Sequence, residues 1–342
     1  MSRALVTGAT GFIGYHVARV LTGKGFEVRA LVREQSDSGC LKAIGAEPVT
    51  GDVRDHGTLK NAMKGCEHVY HAAADYRLWV PDPENMYATN VTGTINVMEC
   101  ALRSGVEKVV YTSTVGVLPM RMNGKLTDEN ARATLLDMVG HYKKSKFLAE
   151  QEVHRFAGRG LPVVIVNPTA PIGSMDRKPT PTGKMIVDYL NGRMPAYLDT
   201  GLNFVDVEDV AEGHWLAAQK GVAGERYILG NRNLTLEAFL RMLAGLTGRK
   251  PPRWRLPYGP VLCAAVIDEG LSRLSKARQP RIPLTAVRMA RHYMFVDCSK
   301  AVSQFSLPQN SLENAAQKAI DWYTGNGYVK QGQRQRMKAT RA

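Results

Sequence analysis

The chain has 342 residues, with 45 Lys+Arg against 31 Asp+Glu and a formal net charge of +14. Hydrophobic residues make up 44% and charged residues 22%, globular usage that excludes a disordered or fibrous chain and suits two lobes or one large α/β unit. Five scattered cysteines without a C-x-x-C pair exclude a disulfide framework, and the longest apolar run, Val261–Ile267, is about a third of a membrane span.

Ala4-Leu5-Val6 leads straight into a glycine turn, leaving no room for a signal segment, so a cytoplasmic protein with reduced thiols is expected. Arg3–Thr7 reads as a strand. Gly8, Gly11 and Gly14 follow at G-x-x-G-x-x-G spacing, and Ile13, Val17, Val20 and Leu21 then recur at helical period. Glycine lets backbone approach a pyrophosphate, and a helix start offers unpaired N–H groups and a positive dipole. Gly8, Thr10, Gly11, Phe12, Ile13 and Gly14 are therefore candidate dinucleotide contacts.

Glu27–Val32 alternates as a second strand and ends Leu31-Val32-Arg33-Glu34. Apolar Val32 stands where an NAD-selecting acid is expected, and the Arg33 guanidinium next to it suits a 2′-phosphate. NADP(H) is the expected cofactor, with NAD the alternative in which Glu34 does the selecting. The strand at Pro48-Val49-Thr50 leads to Asp52, whose carboxylate can accept from the adenine amino group, with Val53 beside it as a further cofactor contact. The strand His68–His71 leads to Ala72, Ala73 and Ala74, small enough for the chain to lie against adenosine and pyrophosphate. His68 and His71 point to opposite faces of that strand, and no metal site is expected.

A helix is predicted over Glu84–Arg103, a strand over Lys108–Thr112 and a helix over His141–Ala157. Thr112, Ser113 and Thr114 form a hydroxyl cluster after the strand. Tyr142 and Lys146 share a helix face at i and i+4. A nearby ammonium and an oxidised nicotinamide both favour tyrosinate, which draws the phenol toward the range of an acid/base. Y-x-x-x-K alone is a frequent solvated face; beside the hydroxyl cluster and the glycine turn it reads as catalytic. With a further strand at Val163–Val166, the alternation predicts a doubly wound parallel sheet covered on both faces.

Beyond this the chain becomes Pro-rich at Lys178–Gly183 and around Pro251-Pro252. The reading is a Rossmann domain over 1–171, with 203–230 returning to it, and a smaller substrate lobe over 172–202 and 231–328. Val261–Ile267 is expected in a core helix of that lobe, with a greasy lid as the alternative. Residues 329–342 carry Lys330, Arg334, Arg336, Lys338 and Arg341 without an acid. They read as a frayed, solvated tail, or as a peripheral contact to an anionic membrane surface.

The motifs together resemble an extended short-chain dehydrogenase/reductase, and within it the hopanoid-associated sugar epimerase family, itself similar to dihydroflavonol 4-reductases. His71–Thr94, Gly140–Glu150, Val166–Gly173, Lys178–Ala217 and Val287–Ala301 carry the likeness, and Asp75–Trp79 and Lys178–Gly183 are its most specific parts. The resemblance implies Tyr142 as acid/base, with Lys146 as its partner and as a ligand of the nicotinamide ribose. It implies a catalytic hydroxyl at Thr114, with Ser113 beside it as the alternative. Asn90 would support a water network at Lys146, Asn167 would lie near the carboxamide, and Thr112 would lie alongside the cofactor. It also implies a homodimer through the two long helices. Dehydratase relatives carry an acidic pair after the hydroxyl, where this chain has Val115-Gly116-Val117, which disfavours elimination. The expected substrate is a small molecule, a sugar or sugar-derived hopanoid side chain, free or lipid-linked. NADP-dependent oxidoreduction and nucleotide-sugar epimerisation with retained NAD(P) use the same groups. A dinucleotide sensor or an RNA binder is a third reading, set back by the Tyr/Lys pair and by the lack of an aromatic stripe, so no nucleic acid partner is expected.

Overall fold

The computed structural model describes residues 2–120, 126–274 and 279–333. The strands are β1 (Arg3–Thr7), β2 (Glu27–Val32), β3 (Glu47–Thr50), β4 (His68–His71), β5 (Lys108–Thr112), β6 (Val163–Pro168), β7 (Ala170–Ile172), β8 (Ala196–Leu198), β9 (Gly201–Asp206), β10 (Arg226–Leu229), β11 (Arg232–Thr235), β12 (Trp254–Leu256) and β13 (Tyr293–Met294). Seven of them form a parallel sheet in the order β10-β6-β5-β4-β1-β2-β3. Its central strands are mostly apolar because both faces are covered. In β1, Ala4 and Val6 face a core shared with α1 (Phe12–Gly23) and α8 (Val207–Lys220). Leu5 faces the other core, with α3 (His56–Met63), α5 (Gly93–Ser104) and α6 (Gly140–Gly158). The doubly wound fold expected from the alternation is therefore the one formed. The strand order reverses between β1 and β4, which opens a crevice at their carboxyl ends.

The helix expected over Glu84–Arg103 is interrupted. Short helix α4 (Glu84–Tyr87) passes through a π-turn, Ala88–Thr92, before α5. That wider turn carries Asn90, which is fully buried. Another short helix, α2 (Gly39–Ala43), precedes β3.

The small lobe has a four-stranded sheet of β11, β9 and β13 with β7 beside β9, and a separate β12–β8 pair. Its core lies among α7 (Pro181–Leu190), α9 (Leu236–Thr247) and α13 (Leu312–Gly325), with α10 (Tyr258–Leu274) and α11 (Leu284–Met289) alongside.

Four expectations change. The strand near 203–207 does not return to the main sheet: β9 pairs with β11, β7 and β13, while β10 takes the free edge of β6. Helix α12 (Ser299–Phe305), expected in the small lobe, packs on the large domain, with Phe305 against Tyr227 at 4.2 Å between ring centroids. The helix holding Val261–Ile267 is not a core helix; α10 buries only Ala265, Glu269 and Ser272. The basic tail is anchored at its start, where Val329 is buried and the Lys330 N–H donates to Asn191 Oδ1 at 3.0 Å. Residues 334–342 of that tail lie outside the described residues. Among the described residues no helix is long and apolar enough to cross a membrane.

Candidate active site

The glycine turn is dictated by backbone crowding. Gly8 has φ +71°, and the Gly11 N–H donates to its carbonyl at 2.9 Å. A Cβ on Gly14 would stand 2.2 Å from Gly8 O, and one on Gly8 would stand 2.7 Å from Ala73 N. Both positions exclude a side chain, and the hollow they leave opens at the start of α1, where a pyrophosphate fits. Thr10 and Ile13 are half-buried there and Phe12 is buried.

The β4 side of the crevice is clamped to this turn. Ala72 N–H donates to Thr7 O and Ala73 N–H to Thr7 Oγ1, both at 3.2 Å. The Thr94 hydroxyl donates to Asn90 O at 2.7 Å, so it accepts from His71 Nε2–H at 3.0 Å. His71 Nδ1 is then bare and accepts from the Thr7 hydroxyl at 2.7 Å. Burial, helped by the Lys146 charge, lowers the His71 pKa to about 3, consistent with a neutral ring.

Across the crevice, α6 presents Tyr142 and Lys146. Lys146 is 2% exposed, and its Nζ donates to Tyr111 OH and to the Thr112 carbonyl, each at 2.8 Å. Burial lowers its pKa to about 7, and the Glu150 carboxylate one turn further on opposes that shift. Burial pushes the Tyr142 phenol up to about 12, opposed by a side-chain hydrogen bond with Thr114. Thr114 Oγ1 also accepts from Gly116 N–H at 3.0 Å, capping the short turn over Val115–Val117. Above the site the two most specific sequence segments meet, because Tyr76 OH donates to Lys178 O at 2.7 Å. Burial raises Tyr76 to about 12, with Asp176, Asp75 and Tyr142 adding to the shift.

A glycine cradle, a Tyr/Lys helix face and a strand-end hydroxyl thus converge on one crevice. The model of the NAD dependent epimerase/dehydratase family matches residues 4–230. The chain belongs to that family. A putative dihydroflavonol 4-reductase of Synechocystis sp. is 43% identical over 95% of each chain. Sterol demethylase protein B of Methylococcus capsulatus is 33% identical over 95% of this chain and 99% of its own. The crystal structure of gox2253 shares 44% identity and a TM-score of 0.86, covering 96% of this chain and 100% of that one. The protein is accordingly an epimerase/dehydratase-family enzyme of the extended short-chain dehydrogenase/reductase type.

Within this family member, the predicted residues are held as follows. Thr112 offers only its carbonyl to the site: His214 Nδ1–H donates to Val210 O at 2.7 Å, so its Nε2 accepts the Thr112 hydroxyl at 2.9 Å on the far face of the sheet. Asn167, expected near the carboxamide, is fully buried on β6. Its Nδ2 donates to Thr114 O and to Glu150 Oε2, each at 3.1 Å. Asn90 Nδ2 donates to Asp75 O and Ser145 Oγ, each at 2.9 Å, tying the 75–79 loop to α6. Among the described residues the Ser113 hydroxyl is enclosed without a hydrogen-bond partner, while the Thr114 hydroxyl opposes the upward shift of Tyr142. Asp52 is held by Arg54 through Nε–Oδ1 and Nη2–Oδ2 contacts of 3.0 and 2.8 Å, which lower its pKa and occupy both oxygens. Val53 is buried under Gly93, and Ala72, Ala73 and Ala74 line the crevice half-buried. Arg33 is exposed beyond β2 and pairs with no acid among the described residues, and its charge reaches Asp52 and Asp75.

Sequence reasoning missed Glu150, His71 and Lys143. Glu150 is buried on α6 and pairs with Arg226 Nε at 2.7 Å, so it fixes Asn167 and biases Lys146 at once. Its i+4 spacing from Lys146 was the available signal. Lys143 is 3% exposed, with no hydrogen bond or ion pair among the described residues, and its chain packs where a Gly116 side chain would be. Only the tertiary contact with Gly116 distinguishes it from a surface lysine. Among the described residues one group has metal-ligand spacing, Glu67, His68 and Glu107, at the opposite ends of β4 and β5.

Proposed function

We propose that the protein is an NADP(H)-dependent oxidoreductase acting on a hydroxyl or carbonyl of a sugar or sugar-derived side chain, of the hopanoid type, free or lipid-linked. The observation that carries this is the buried Lys146 clamped to Tyr111 OH and the Thr112 carbonyl at the end of β5, with Tyr142 one turn back on the same helix and the glycine cradle at the end of β1. A bound nicotinamide would supply or accept hydride; the residues of the chain supply everything else. Thr114 holds the substrate oxygen and Tyr142 gives the developing alkoxide its proton. The Tyr142 phenol, pushed up to about 12 by burial, carries that proton at neutral pH, which supports reduction. Lys146 is fixed to the end of β5 one helical turn from Tyr142. Arg33 is the residue for a 2′-phosphate, and a relative named a reductase at 43% identity points the same way.

Epimerisation with a retained cofactor is the second reading, favoured by the family's description. Elimination fits poorly, because the turn after Thr114 holds buried Val115, Gly116 and Val117 in place of acids. The deciding experiment follows NADPH and NADH absorbance with carbonyl substrates, alongside Tyr142→Phe. Loss of about 10²–10⁴ in kcat with retained NADPH affinity is expected. Epimerised product without cofactor consumption would replace reduction with epimerisation, and an indifferent Tyr142→Phe would overturn both.

A further inference from the structure

Two independent distributions meet in one stretch of the small lobe. Between Arg249 and Arg291 the sequence carries ten Lys/Arg against two acids, Asp268 and Glu269, so this stretch holds +8 of the chain's +14. Along α10, Cys263, Val266, Ile267, Leu271 and Leu274 recur at three- and four-residue spacing on the solvent side. Ile267 is 64% exposed, Leu274 86%, and Trp254 on the adjacent β12 edge 69%. The helix is inverted relative to an ordinary surface helix, since Glu269 and Ser272 are on its buried side.

Both acids hold α11, and Glu269 Oε1 also pairs with exposed Arg273 at 2.9 Å. Asp268 Oδ2 accepts from Ile282 N–H at 2.9 Å and Glu269 Oε2 from Leu284 N–H at 3.2 Å, fastening α11 to α10. The outer surface is left with apolar side chains and cations, of which Arg253 and Arg281 pair with no acid among the described residues. Helix α11 borders the catalytic crevice: Thr285 Cγ2 stands 2.5 Å from where a Gly140 Cβ would be, two residues before Tyr142.

An apolar stripe flanked by exposed cations, with Arg255 and Arg273 paired and Arg253 and Arg281 without an acid among the described residues, suits an anionic lipid surface, where the side chains enter the acyl boundary and the guanidinium groups stay at the headgroups. A second copy would set two strongly positive faces against each other, and nucleic acid has no use for an aliphatic stripe. We propose that α10 and the β12 edge dock the protein on an anionic phospholipid bilayer, with the mouth of the Tyr142 crevice turned toward it. The docking stands whether the crevice reduces or epimerises its substrate.

The test is sedimentation of the full chain with vesicles of phosphatidylcholine alone and of phosphatidylcholine with phosphatidylglycerol, at low salt. Binding to the anionic vesicles only is expected. Ile267→Asp and Leu271→Asp, both at exposed positions, should each weaken it at least about tenfold, with circular dichroism and NADPH affinity unchanged. A chain ending at Gln333 should still bind. Absence of anionic-vesicle binding, or binding indifferent to both substitutions, would overturn the proposal. So would loss of binding with the tail, which assigns it to residues 334–342, or a dimer that Ile267→Asp converts to a monomer, which assigns the face to a second copy. NADPH affinity and carbonyl reduction are read separately, so failure here leaves the catalytic reading intact.

Discussion

His71 offers the sharpest test of how the crevice is held together. Its ring has to stay neutral, because Nδ1 accepts from Thr7 and Nε2 donates to Thr94. Burial lowers its pKa from 6.5 to about 3, so between those values the unfolded chain binds a proton that the folded chain refuses. The stability this ring contributes is therefore intact above 6.5 and falls as pH drops toward 3. Linkage gives a loss of about 2 kcal/mol between about pH 8 and about pH 5, growing to about 5 kcal/mol once the folded ring is protonated. Denaturant unfolding of the wild type and of His71→Gln at the two pH values measures it. His16 and His214 are also buried, with pKa values lowered to about 4, and they contribute to both proteins. The difference in acid loss between the two proteins, about 2 kcal/mol by about pH 5, thus isolates His71 whatever the variant's own stability. Equal acid losses would refute the neutral-ring assignment and the proton arrangement built on it.

Other outcomes follow from the same geometry. Thr114→Val should lower kcat at least about tenfold, whereas Ser113→Ala, which removes an enclosed unpartnered hydroxyl, should keep full activity and match or exceed wild-type stability; steady-state kinetics with thermal melts separate the two. Gly14→Ala drives a Cβ into Gly8 O, so a stability loss of about 1–3 kcal/mol and weaker NADPH binding by fluorescence titration are expected. Burial lowers Lys143 from 10.5 to about 8 without a compensating partner. Wild-type stability should therefore rise from about pH 8 to about pH 10, and Lys143→Met should gain about 1–3 kcal/mol near neutrality and lack that slope. A destabilised Lys143→Met would show that the ammonium has a partner in the fold.

The sequence by itself determined whatever rests on local chemistry. The spacing of Gly8, Gly11 and Gly14 follows from a turn too tight for a Cβ, and the Tyr142/Lys146 pair follows from helical period. The alternation of apolar strands and amphipathic helices fixed the parallel sheet, because each residue's face depends only on its neighbours in the chain. Tertiary structure decided which groups meet across long separations. Asn167 and Glu150 lie on different elements and become partners only when α6 crosses β6. The sealed Ser113 hydroxyl and the Thr114 hydroxyl that opposes the upward shift of Tyr142 are adjacent in sequence and differ only in what the fold puts around them. Strand β9 is buried along its length like a main-sheet strand, yet it pairs elsewhere because the free edge of β6 goes to β10. An apolar run states that a helix wants to leave water, not which surface receives it; for α10 the packed lobe turned the carboxylates inward and left the aliphatic side facing out.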